Sequence, residues 1–140
     1  MTTEVFVDSN LWLYQLLDFQ SAEKAEKVRS AIARIDRVVI SHQVLVEIGA
    51  NLVKKSKLPE VVIRGHLADV IACSDLIAVD GRVIFRASTI RETGSWSYWD
   101  SLIIAAALES GCAELWSEDL QHGQVIDGRL RIVNPLIPST

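Results

Sequence analysis

The chain has 140 residues, 49% of them hydrophobic and 23% charged, with a formal net charge of −4. That length suits one domain over residues 1–140 with a single core, and the apolar fraction excludes a disordered or collagen-like chain. Mild acidity also withholds the basic footprint expected of a protein that coats nucleic acid. Short apolar runs then alternate with stretches of helical length. Val5-Phe6-Val7 reads as a first strand ending at Asp8, followed by helical patterns from Ser9 to Phe19 and from Ser21 to Ile35. Arg37 to Ser41 is a second strand, with helices expected over His42 to Lys55 and Pro59 to Ser74. A third strand, Leu76 to Val79, precedes helices over Arg82 to Thr93 and Ser97 to Ser110. Glu114 to Trp116 and Leu130 to Val133 complete five strands, the last stopped by Asn134-Pro135.

Strands alternating with long helices imply an α/β fold, a mostly parallel five-stranded sheet with helices on both faces. The strands are continuously apolar, as strands covered on both faces are. Pro59 stands where the first residue of the fourth helix would fall, and Gly111 where the sixth needs a left-handed residue after its end. Ser21 has Lys24 at the capping-box position and so reads as a simple N-cap. Two cysteines, Cys73 and Cys112, are too few and too far apart for a disulfide framework or a CxxC metal site, and read as buried or idle thiols. Met-Thr-Thr-Glu has no basic region ahead of an apolar stretch, and no run approaches a membrane span, so a soluble, cytoplasmic protein is expected. Neither GxGxxG nor GxxxxGK[ST] occurs, leaving dinucleotide and P-loop chemistry unsupported.

In a strand–helix–strand unit the C-terminal ends of strands and the first turns of helices share one edge, where ligands bind. Four acids map there. Asp8 ends strand one, Glu47 lies in the second turn after strand two, Asp100 in the first turn of the sixth helix, and Asp119 just after strand four. They converge if the first and fourth strands are neighbours, as is common in doubly wound sheets. Each also has a structural reading. Asp8 or Ser9 can cap a helix, Asp100 follows Ser97 at a capping distance, Glu47 shares a polar helix face with Asn51 and Lys54, and Asp119 can be a turn residue. Clustered carboxylates need raised pKa values or a cation among them, and no Lys or Arg lies in VDSN, YWDSL or SEDL. Oxygen-only ligands favour Mg²⁺ or Mn²⁺ over Zn²⁺, and such ions assist displacement at phosphorus. Asn10 and Ser117, neutral and beside the first and last acids, suit supporting hydrogen bonds.

These residues carry a resemblance to the PIN-domain family and, within it, to VapC-type toxin ribonucleases. The matching pieces are V-D-S-N at Val7, S-H-Q-V-L-V-E at Ser41, Y-W-D-S-L-I-I-A-A-A at Tyr98, L-W-S-E-D-L-Q-H-G at Leu115 and I-V-N-P at Ile132. They span nearly the whole chain in order. The resemblance implies a Rossmann-like fold, a pocket binding Mg²⁺ or Mn²⁺ through Asp8, Glu47, Asp100 and Asp119 with Asn10 and Ser117 in support, and cleavage of RNA. It also implies a homodimer and a cognate antitoxin protein. Ser101, where a small apolar residue is usual, and Leu136, where an aromatic is common, are departures that leave the acids untouched.

Other residues remain open between two roles. Lys54, Lys55, Lys57 and Arg64 can steer an RNA backbone or be a solvated helix end. Trp96, Tyr98 and Trp99 can stack on bases or pack against protein. Trp12 and Trp116 read as core, and His122 as a loop hydrogen-bonding residue. Two rival functions stand beside the ribonuclease. One is a non-catalytic PIN-like module binding RNA or protein. The other is a phosphatase with Asp8 as nucleophile, disfavoured because Asn10 stands where that chemistry wants a second Asp. The charge itself needs rereading, since setting the four acids aside leaves 14 acidic against 14 basic residues. Divalent ions would reverse the sign of the pocket locally.

Overall fold

A computed structural model of the chain describes residues 4–17 and 21–138. Its elements run β1 (Glu4–Val7), α1 (Ser9–Leu16), α2 (Ala22–Ile32), β2 (Arg37–Ser41), α3 (His42–Lys55), α4 (Glu60–Ala72), β3 (Asp75–Ile77), α5 (Gly81–Thr93), α6 (Tyr98–Glu109), β4 (Glu114–Trp116), β5 (Val125–Ile126) and β6 (Leu130–Val133). The strand order is β3-β2-β1-β4-β6-β5, parallel except for β5. Strands one and four are neighbours, as the clustering of the acids requires. The direction of strand addition reverses between β1 and β4, the switch point where α/β sheets open a crevice.

Burial explains which runs became strands. Val5, Phe6, Val7, Val39, Ile40 and Leu115 are fully buried, so the central strands have no polar face. Along α6 every residue from Ser101 to Leu108 is buried, the pattern of a helix enclosed on all sides, and it packs against β2 and β4. Trp12 is fully buried and its Nε1 donates to Val7 O at 3.1 Å, pinning α1 to the end of β1. Truncating such a side chain costs about 3–5 kcal/mol, and here it would loosen the turn that carries Asp8.

Among the described residues the sheet has six strands where five are expected. The extra strand, β5, is two residues long, too short to show any periodicity. It is created by the turn that follows: Asp127 and Gly128 both have positive φ (57° and 69°), the backbone signature of a type I′ hairpin turn, and Arg129 N closes it on Ile126 O at 3.2 Å. Strand three begins and ends earlier than expected, at Asp75 and Ile77, and α2 stops at Ile32. The expected end of the first helix, Phe19, lies outside the described residues. Pro59 caps α4 rather than starting it, with extended ψ (152°). Gly111 has the left-handed φ (77°) that its position needs; Gly111 N bonds Leu108 O and Cys112 N bonds Ala107 O, a Schellman end to α6. Ser21 caps α2 by accepting from Lys24 N. Cys112 is buried, but Cys73 is exposed at the end of α4 rather than buried in it. Among the described residues no helix is long and apolar enough to cross a membrane.

Candidate active site

The site grows from the ladder between β1, β4 and β6. Asp8 N donates to Trp116 O at 2.9 Å and Ser117 N to Val133 O at 3.0 Å, so the residues that end these strands lie side by side. Asp8 is also the N-cap of α1: its φ and ψ are extended and its Oδ1 accepts from Ser9 N at 2.8 Å. Its Oδ2 accepts from Ser117 Oγ at 2.9 Å, and Ser117 is itself fully buried. Ser117 Oγ in turn accepts from Asn10 Nδ2 at 3.3 Å and from Asp119 N at 3.2 Å. Asn10 Nδ2 also reaches Asp119 Oδ2 at 3.0 Å, while its Oδ1 accepts from Glu118 N at 3.3 Å. Asn10 and Ser117 thus tie Asp8 to Asp119 across more than a hundred residues of sequence.

Glu47 joins from the other side. Its Oε1 accepts from Ser9 Oγ at 2.9 Å and its Oε2 from Gln43 Nε2 at 3.2 Å. Gln43 Nε2 donates as well to Trp99 O at 3.1 Å, which links α3 to the first turn of α6, where Asp100 stands. Gln43 Oε1 is buried and has no hydrogen-bond partner among the described residues. Asp100 itself is half-buried, with its backbone N capped by Ser97 Oγ at 3.0 Å; its carboxylate takes no part in the hydrogen bonds that join the other three acids. Ser9 and Gln43 are site residues that the sequence reading missed. Ser9 stood there only as a possible cap, and the one signal for Gln43 is its spacing, four residues before Glu47 on the same helix face.

Asp8 is only 8% exposed, and that burial pushes its carboxyl up to about 6. Hydrogen bonds from Ser117 and Ser9 pull against the rise, and the negative charges of Glu47 and Asp119 add to it. Among the described residues no Lys or Arg forms an ion pair with Asp8, Glu47, Asp100 or Asp119. Neighbouring Glu118 differs: Tyr14 OH donates to it at 2.8 Å and Lys24 Nζ lies 3.9 Å away. Among the described residues no three Asp, Glu, His or Cys side chains stand close enough to hold one metal ion in common. The donor set nevertheless fits a hard divalent cation in kind: it is all oxygen, carries surplus negative charge, and Mg²⁺ needs only one or two carboxylates beside water and phosphate.

Next to Asn10 and Asp119 opens a cleft of about 220 Å³ lined also by Leu13, Tyr14, Lys55 and Glu118. Of the basic stretch, Lys54, Lys55, Lys57 and Arg64 are all exposed, and Lys55 alone lines this cleft. Another hollow, about 360 Å³, contains Trp96, Gln121 and Gln124 and none of the four acids. Tyr98 and Trp99 are exposed and meet edge to face, with the Arg91 guanidinium 4.7 Å from the Tyr98 ring. Trp12 and Trp116 are core. His122 Nδ1 accepts from Asn134 N at 2.9 Å, the loop hydrogen bond expected of it.

A mostly parallel sheet whose switch point gathers carboxylates held by neutral donors defines a class of α/β protein with an acidic crevice. The chain belongs to the PIN-domain family, whose sequence pattern matches residues 5–126. Solved structures share the fold at low identity. They include a toxin–antitoxin complex from Klebsiella pneumoniae (18% identity, TM-score 0.68, covering 94% of this chain and 97% of that one). VapBC2 from Rickettsia felis, bound to a DNA fragment from its promoter, is similar at 14% identity and TM-score 0.66, covering 94% and 99%. Mycobacterium tuberculosis VapC20, a toxin that cleaves the sarcin–ricin loop, is similar at 16% identity and TM-score 0.64, covering 82% and 91%. No match was found among curated proteins.

Proposed function

We propose that the chain is a Mg²⁺- or Mn²⁺-dependent endoribonuclease, the toxin of a type II toxin–antitoxin pair. The observation that carries this reading is a buried carboxyl, Asp8, bound into one hydrogen-bonded network with Glu47 and Asp119 in which every donor is neutral. Such a network fixes geometry without cancelling charge, which leaves the cancelling to a cation that arrives with or before substrate. Asp8, Asp100 and Asp119 would hold that ion, directly or through water, and Glu47 would complete the pocket. When bound, the ion lowers the pKa of water and offsets charge on the phosphate during in-line displacement. Ser9 and Gln43 hold both Glu47 oxygens in place and leave lone pairs on each free, so that Glu47 can accept a proton from the attacking water. Asn10 and Ser117 keep Asp8 and Asp119 in register with one another.

The toxin–antitoxin complexes that share the fold support an antitoxin partner. Exposed apolar side chains, among them Val46, Val61 and Phe85, offer surface for that partner or for a second copy in a homodimer. The rival reading, a non-catalytic module that binds RNA or protein, draws on the acids' failure to close on a common point. One experiment separates them: purified protein is incubated with a mixed RNA pool with Mg²⁺, with Mn²⁺ and with EDTA, and the ends are mapped. Cuts that need the metal and vanish in Asp8→Asn support the nuclease. RNA left whole by folded protein in both metals would overturn it in favour of the binding module.

A further inference from the structure

Polar residues recur every fourth position along α3, at Gln43, Glu47, Asn51 and Lys55. Positions four apart form one inclined row on a helix, so this row climbs from the acid network toward the end of α3. Gln43 and Glu47 belong to the network, and Asn51 Nδ2 donates back to Glu47 O at 2.9 Å. Lys55 ends the row and lines the cleft with Asn10 and Asp119, two residues of that same network. Among the described residues several cations pair with carboxylates: Lys24 with Glu118, Arg37 with Glu4 and Asp75, Arg86 with Glu109 and Asp127. Lys55 has no carboxylate within 4 Å among them, although Glu118 and Asp119 line the same cleft.

Complementing the dipole of α3 does not require this placement. Lys54, one residue earlier in the same last turn, serves the dipole equally and does not line the cleft. We propose that Lys55 is the phosphate-binding residue of the site: its ammonium holds a backbone phosphate of single-stranded RNA in the cleft of Asn10, Leu13, Tyr14 and Asp119, next to the bond to be cut. This assignment rests on the ribonuclease reading. It also gives the acidic site a local attraction for a polyanion, which the network of neutral donors does not provide. A lysine suits the task, because a compact charge on a long stem can follow a phosphate without demanding one orientation.

The test uses the full chain carrying Asp8→Asn, which is expected to bind without cutting, at fixed Mg²⁺. Binding of a fluorescent single-stranded RNA is followed by anisotropy as KCl is raised. One phosphate contact contributes about 0.7 to the slope of log K against log salt, worth about fivefold in affinity near 0.1 M. Adding Lys55→Ala is expected to weaken binding by about that factor and to flatten the slope by about 0.7, with Lys55→Arg restoring both. Adding Lys54→Ala should leave the slope within about 0.2 of its parent, while the two alanine variants lower the melting temperature alike. In the cutting enzyme, Lys55→Ala should raise KM by about the same factor and leave kcat unchanged. An unaltered slope for Lys55→Ala, or an equal loss for Lys54→Ala, overturns the assignment while wild-type cleavage leaves the nuclease reading standing. Absence of both wild-type cleavage and RNA binding removes the two together.

Discussion

Strand β1 begins with one acid and is followed directly by another, and the two ends treat them in opposite ways. At its start, Glu4 meets Arg37 Nη1 at 2.6 Å, and Arg37 Nε meets Asp75 at 2.6 Å, so one guanidinium ties β1, β2 and β3. Those groups are open to water, and Arg37's pKa is raised chiefly by its hydrogen bond to Asp75, then by that to Glu4. Beyond the other end, Asp8 is buried, and among the described residues its carboxylate accepts hydrogen bonds from Ser9, Asn10 and Ser117 only. Burial would make pairing more valuable at Asp8 than at Glu4, yet the cation is at the exposed end. A fold selected for stability alone has no reason to bury the unpaired acid, since a lone buried charge is among the costliest groups a core can hold. On the proposed reading, the contrast separates acids that hold strands together from acids kept free for a cation.

The sharpest way to break the contrast is to remove the buried charge. Asp8→Asn keeps an N-cap side chain and a hydrogen-bond acceptor, so the fold should persist. RNA cleavage in Mg²⁺ or Mn²⁺ is expected to fall on the order of a thousandfold, about 4 kcal/mol of lost transition-state stabilisation. Comparable cleavage rates for the two proteins would place the reaction elsewhere.

The same substitution should act on stability with the opposite sign. In the folded protein Asp8 titrates at about 6 against an ordinary value of 3.8. Between those values the folded state binds more protons than the unfolded chain, so metal-free stability falls as pH rises through that window and stays lowered above it. At ~1.4 kcal/mol per pKa unit, the penalty above pH 6 is about 3 kcal/mol. Asp8→Asn is therefore expected to be the more stable protein by about that amount in urea melts at pH 8 with EDTA. Near pH 4 the difference should close. A metal ion that occupies the site should stabilise the wild type at pH 8 and leave Asp8→Asn unmoved. If Asp8→Asn melts earlier than wild type at pH 8, burial of that charge is not the cost argued here.

Much of this arrangement is legible in the sequence, for a physical reason. Doubly covered strands must be apolar throughout, so Val5–Val7 and Val38–Ile40 announce themselves, and topology then carries Asp8, Glu47, Asp100 and Asp119 to one edge. What stayed hidden depends on pairings that no local pattern encodes. Ser9 was visible as a cap, but its hydroxyl on Glu47 is a contact across 38 residues. Gln43 gains its role from the carbonyl of Trp99, which belongs to another helix. Strand β5 follows from Asp127-Gly128, a strong turn signal whose first strand is too short to alternate. The basic stretch read as one patch, whereas the row along α3 brings Lys55 alone to the cleft.

Within the buried end, the neutral donors should matter less than the acids they hold. Ser117→Ala removes the hydroxyl that serves Asp8, Asn10 and Asp119 together, and Gln43→Ala frees one Glu47 oxygen. Outer partners of this kind are worth roughly 10- to 100-fold in metal affinity or activity. Ser117→Ala is expected toward the upper figure and Gln43→Ala toward the lower, with Mg²⁺ titrations of cleavage showing a raised half-saturation in both. Full activity in Ser117→Ala at every Mg²⁺ concentration would show that Asp8 and Asp119 need no tie between them.

The exposed end supplies the smallest effect and the control for the rest. Arg37→Leu keeps an apolar stem over β2 while removing the charge from Glu4 and Asp75. Both ion pairs are partly solvated, so their loss should lower stability by about 1 kcal/mol, less in high salt as the pairs are screened. Cleavage should be unchanged, because Arg37 sits at the opposite end of the sheet from Asp8. Urea melts at low and high salt, run beside a cleavage assay, read both quantities from one preparation. A fall in cleavage larger than the fall in folded fraction would mean that the two ends of β1 are coupled, and that charge at Glu4 reaches the acids beyond Val7.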